Sequence, residues 1–175
     1  EEIHESRLIE LIDEEGLNYM SSVVLGLNDA LVEFTGALAG YTFALQHAKL
    51  VALTGAITGI AAALSMAASE YLSTRTENNV HKNALKAAVY TGIAYVITVV
   101  VLILPFVLLS NVYWGLGVCL FGALVIIAIF NYYYSIVKTE SFRHRFTEMA
   151  IISIGIAAIS FLIGYALRVF TGIEL

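Results

Sequence analysis

Two acidic residues one helical turn apart, Asp29 and Glu33, lie inside an apolar stretch of the chain. A third, Glu70, lies inside another with Met66 one turn before it. A charge at mid-bilayer costs from about 2.5 to well above 10 kcal/mol, so carboxylates are kept there where they pair, bind ions or carry protons. Four residues of separation put each pair on one helical face. Carboxylate oxygens suit magnesium, manganese and iron(II), and a thioether shifts the preference toward softer, later transition metals. No Cys or His stands at this depth, which argues against a tight zinc or copper site. The plainer alternative is that the acids are protonated, or hydrogen-bonded to Asn28, Thr35 and Ser69 as glue between helices; the shared faces favour ion ligation.

If the first helix leaves the interface near Met20 and the second returns to it near Thr76, a rise of 1.5 Å per residue sets approximate depths. Glu70 then lies about 9 Å deep, Asp29 about 14 Å, Met66 about 15 Å and Glu33 about 20 Å. Asp29 and Met66 share a level with a carboxylate on either side, and Glu77 stands at the mouth. An ion leaving such a ladder leaves carboxylates that repel one another in a low dielectric and are relieved by protons, so metal–proton exchange is expected. Further out, the same two faces carry Gly36 and Gly40 on the first helix and Gly55 and Gly59 on the second. Small residues let helix backbones approach closely. The expected shape is a vestibule open at the acidic end and pinched at the glycine end.

These residues need spans to hold them. Of 175 residues, 59% are hydrophobic and 13% charged, about half the charged share usual in water-soluble domains. Five stretches meet or approach the roughly 20 residues that cross a hydrocarbon core: about Ser22 to Leu45, Leu50 to Leu72, Ala84 to Leu109, Val112 to Tyr134 and Met149 to Phe170. The expected fold class is therefore all-α, a polytopic membrane protein with five transmembrane helices. Residues 21–175 would form one membrane domain behind an acidic segment, 1–20. That segment holds seven of the 14 acids, so the net charge of -5 says little about the membrane part.

Seven of the nine basic residues, Arg7, Arg75, Lys82, Lys86, Lys138, Arg143 and Arg145, fall on the side of the N-terminus. The positive-inside rule puts that side in the cytoplasm and the C-terminus outside or in a lumen. Tyr113, Trp114 and the run Tyr132 to Tyr134 read as interfacial belts. Pro105 is expected to bend or end the third span. Cys119, the single cysteine, excludes an intrachain disulfide. His47, His81 and His144 read as solvated loop residues. The chain has neither the basic flank of a signal peptide nor a P-loop, which leaves an ion gradient as the energy source.

The segments GLNDALVEFTGALAG (Gly26 to Gly40) and GAITGIAAALSMAASEYLSTRTE (Gly55 to Glu77) resemble the first two helices of the vacuolar iron transporter family. The resemblance implies a homodimer of five-helix subunits that moves iron(II), and often manganese(II), from cytosol to vacuole in exchange for protons. It also implies that Asp29 and Met66 are the transport carboxylate and methionine, and that Glu70 matches an acid found in some branches. Two features depart from the pattern. Glu33 stands where many members have proline, and the connection from about Ser73 to Asn83 is too short for the metal-binding domain of the plant and parasite members. Glu1 and His4 resemble the Glu-x-x-His end of a ferritin-like di-iron helix, so the segment reads either as the end of such a domain joined to the membrane part or as a solvated acidic helix.

These readings lead to one expectation, a carrier that exports iron(II) or manganese(II) from the cytoplasm by proton antiport. Its partners would be metal ions, protons, lipid and a second copy, with no permanently bound cofactor, no nucleic acid and no enzymatic activity. The competing readings are a proton-coupled exporter of organic cations and the membrane anchor of a ferritin-like ferroxidase.

Overall fold

The computed structural model describes residues 19–76, 82–138 and 141–172. They form five helices: α1 (Tyr19–Leu45), α2 (Ala48–Thr76), α3 (Ala84–Leu108), α4 (Val112–Lys138) and α5 (Phe142–Thr171). Each is long and apolar enough to cross a membrane, and the chain is an all-α polytopic membrane protein.

The helix ends follow from local chemistry. The first backbone N–H groups of a helix lack internal partners, and a short polar side chain ahead of the helix can accept from them. Asn83 does so for α3, its Oδ1 accepting from the N–H of Leu85 at 3.0 Å and of Lys86 at 3.1 Å. Asn111 does the same for α4, accepting from Tyr113 and Trp114 at 3.0 and 3.2 Å. Gln46 ends α1 in the left-handed region at φ 50°, which turns the chain directly into α2. Pro105 does not end α3, which continues three residues beyond it to Leu108. α5 begins at Phe142, seven residues before the apolar stretch does, because its polar first turns remain helical without needing lipid.

An antiparallel pair, α2 with α3, and a parallel pair, α1 with α5, make most of the contacts, and α4 bridges α3 and α5. The glycines decide which helices come close. A methyl group on Gly36 would stand 2.8 Å from Ile156 Cγ2, and one on Gly40 would stand 3.1 Å from the Ser160 carbonyl oxygen. One on Gly164 would collide with the carbonyl of Gly40. The glycine pair of α1 therefore seats α5, not α2 as its register suggested. Gly55 and Gly59 on α2 receive side chains instead: Leu38 and Phe34 from α1, and Val99 from α3. Small faces can accept either a backbone or a bulky side chain, and the sequence of one helix does not say which it will meet.

The centre is filled by Leu31, Phe34, Leu38, Val51, Tyr95, Leu102, Phe106 and Ile127, none more than 1% exposed. Outward-facing Leu, Ile and Val side chains cover α2 to α5, as expected where the solvent is hydrocarbon.

Gly164→Leu should separate α1 from α5 and destabilise the fold by at least about 1–3 kcal/mol. Gly117→Ala, where nothing stands within 4 Å of the added methyl, should cost nothing measurable. Thermal unfolding of the two purified variants against the parent protein tests the difference.

Candidate functional site

The α-helical winding of α1 is interrupted where the acidic pair lies. Ala30–Phe34 form a single π turn, with Asp29 immediately before it and Glu33 inside it. A π turn holds one residue more than an α turn and disturbs the regular carbonyl pairing, which is why it is often found at functional sites. Ser153 of α5 donates to the Leu31 carbonyl oxygen at 2.8 Å and so serves a carbonyl within the widened turn.

The Asp29 and Glu33 carboxyl groups interact with each other. Asp29 is half-buried, whereas Glu33 is exposed on the surface of the chain. Behind them Tyr95 of α3 is fully buried, and its hydroxyl lies within electrostatic reach of both carboxylates. That hydroxyl has no hydrogen bond of good geometry, and neither do two other buried polar atoms nearby in sequence, Asn28 Oδ1 and Thr35 Oγ1. Buried polar atoms are normally paired, so three without partners, two of them flanking the π turn on α1 and one facing the acidic pair from α3, suit places that hold an ion or water.

Glu70 belongs to a different network. Only 6% exposed, it accepts from Ser22 Oγ at 2.6 Å, from Lys82 Nζ at 2.9 Å and from Thr74 Oγ1 at 3.5 Å. The carboxylate thereby ties α1, α2 and the chain entering α3 together. Two further bonds strengthen this end of the bundle: Asn83 N–H donates to Tyr19 Oη at 3.0 Å, and Thr91 Oγ1 donates to the Ser22 carbonyl oxygen at 2.9 Å. Met66 is half-buried and packs against the apolar core.

The structure thus brings Asp29 and Glu33 together and places Glu70 with a lysine. Among the described residues, no three His, Cys, Asp or Glu side chains converge as a metal-holding group. Glu77, Glu1 and His4 lie outside the described residues. Sequence reasoning missed Tyr95, Ser22 and Lys82. Tyr95 sits in an apolar run where it reads as a packing aromatic, and only the folded arrangement brings it to Glu33. Lys82 lies 12 residues after Glu70, across a connection whose path sequence does not set.

The VIT family model matches residues 20–85. Over that stretch the chain is similar to the VIT family. The match takes in nearly all of α1, α2 and the first residues of α3, and with them Asp29, Glu33, Met66 and the Glu70–Lys82 pair, but not Tyr95. No curated protein matches the chain. That similarity points to metal-ion transport as the broad activity.

Lys82→Met should leave the Glu70 carboxylate buried without a cation and cost about 3 kcal/mol, while Lys82→Met with Glu70→Gln should regain most of that loss. A double-mutant cycle read by thermal or denaturant unfolding measures both steps.

Proposed function

We propose that this chain carries iron(II), with manganese(II) as a second cargo, out of the cytoplasm in exchange for protons, and that it works as a homodimer. The observation that carries the reading is the interacting Asp29–Glu33 pair at a π turn, with Glu33 exposed on a helix deep in the bilayer. An ionised side chain at that depth does not face hydrocarbon without a cost of several kcal/mol. A second copy laid against α1 removes it from lipid and encloses an aqueous path between the two chains.

Asp29 and Glu33 supply hard oxygen ligands suited to iron(II) and manganese(II), and Met66 on α2 supplies the softer sulfur contact. Emptied of its ion, the pair repels itself, and protons arriving from the far side relieve that repulsion. This makes the exchange obligatory without any group outside the path. Glu70 joins the path only when its pair with Lys82 opens, and Glu77 is assigned the entrance. Arg75, Lys82, Arg143 and Arg145 stand at the Tyr19 end of the bundle, which supports a cytoplasmic N-terminus by the positive-inside rule.

Proteoliposomes loaded with a metal-sensing dye should take up iron(II) and manganese(II) faster than zinc(II), and faster still with a pH gradient imposed. Asp29→Ala should lower the flux at least about tenfold, and Glu33→Gln should weaken its dependence on pH more than its rate. Equal flux in the parent and Asp29→Ala proteins would remove the site, and flux indifferent to the gradient would remove the coupling. Light scattering of the detergent-solubilised protein should give twice the 19.0 kDa of one chain.

A further inference from the structure

α1 has a second polar face. Asn28 and Val32 lie about a quarter-turn around the helix from Asp29 and Glu33. With Asn131 of α4 and His144, Glu148 and Met149 of α5, they line a cavity of about 500 Å³. The cavity wall is rich in Lewis bases. Asn28 Oδ1 is buried and has no donor. His144 and Glu148, four residues apart, share one face of the first turns of α5 and are exposed. Asn131, 1% exposed in an otherwise apolar stretch, uses its Nδ2 to donate to the Ile127 carbonyl oxygen at 2.8 Å and to Met149 Sδ at 3.5 Å. Both side chains are fixed at the wall by these contacts. One cation also borders the cavity, Arg145, and its guanidinium carbon lies 4.0 Å from the centre of the Tyr134 ring.

We infer that this cavity is a second divalent-cation site, with Glu148 and His144 as direct ligands and Asn28 Oδ1 as the neutral oxygen that completes the contact from α1. Asn28 Oδ1 lacks a donor, and a carboxylate and an imidazole lining the same cavity supply ligand types that a divalent transition-metal ion takes. A closed structural metal site needs about four protein ligands packed around the ion. This cavity offers fewer and is far larger than a bare ion, so the bound cation keeps part of its water shell and exchanges quickly. The imidazole favours iron(II), cobalt(II) and nickel(II) over magnesium and calcium. Asn28 is the chain neighbour of Asp29, so the cavity and the acidic pair occupy adjacent faces of α1 at one depth. The site's role as a loading station for that pair rests on the transport reading above; its capacity to bind a cation does not.

The test uses the full chain in detergent with cobalt(II) as the probe, counted by equilibrium dialysis and followed by its visible absorption. The parent protein should bind cobalt(II) in two classes, one lost in Asp29→Ala and the other weakened at least about tenfold in His144→Gln with Glu148→Gln. Because His144 and Glu148 are exposed, the double variant should elute from gel filtration as the parent does. Arg145→Gln should move affinity the other way, tightening the second class about threefold by removing a neighbouring positive charge. In proteoliposomes Glu148→Gln should raise the half-saturating metal concentration about tenfold with maximal flux kept within about twofold, the pattern of a lost binding step. Unchanged cobalt(II) stoichiometry and affinity in the His144→Gln, Glu148→Gln protein would overturn the site. If that protein loses cobalt(II) while Asp29→Ala transports normally, the second site stands and the transport reading falls.

Discussion

Hydrocarbon does not solvate an ionised carboxylate, and the arrangement of this chain follows from the two ways in which it meets that constraint. Glu70 is neutralised within the protein by Lys82 and two hydroxyl groups, at the end of the bundle where α1, α2 and α3 converge. Asp29 and Glu33 receive no cation from the described residues. The first arrangement is complete in one chain and holds helices together; the second is left without a cation among the described residues. Acids that look alike in sequence therefore sit in different surroundings, and the difference lies in whether a basic side chain reaches them.

The helix pairing suits that division. α1 is held along its outer half by the close approach of Gly36 and Gly40 to α5, and at its inner end by Thr91 and by the Glu70 network. Between these anchors lies the π turn, where one serine from α5 supports a displaced carbonyl. The irregular turn is tolerable because both flanks are fixed. A helix loosely packed at either end would recover the α winding and lose the particular orientation of Asp29 and Glu33.

Much of this was legible in the residues. Five apolar runs of near-constant length fix an all-α membrane bundle because few other structures satisfy the backbone in lipid, and four-residue spacing correctly gave Asp29 and Glu33 a common neighbourhood. Spacing could not say that Gly36 and Gly40 would face Ser160 and Gly164, since a small-residue stripe fits many partners. It also set Glu70 on one ladder with Asp29, since depth along an axis is readable from sequence and rotation about it is not. The π turn was invisible for a related reason: ALVEF has no residue that forbids an α turn. Tyr95 and Lys82 were overlooked because their importance comes from neighbours distant in sequence.

The π turn has a kinetic implication. It is an inserted residue pinned by one bond from Ser153, and passing it one step along α1 would need that bond and a few backbone hydrogen bonds to change partners. Each side chain it passed would swing by about 100° around the axis, while the glycine seat and the Tyr19 end stayed where they are. A dislocation travelling past Asp29 and Glu33 would re-aim them around the α1 axis with no rocking of whole helices.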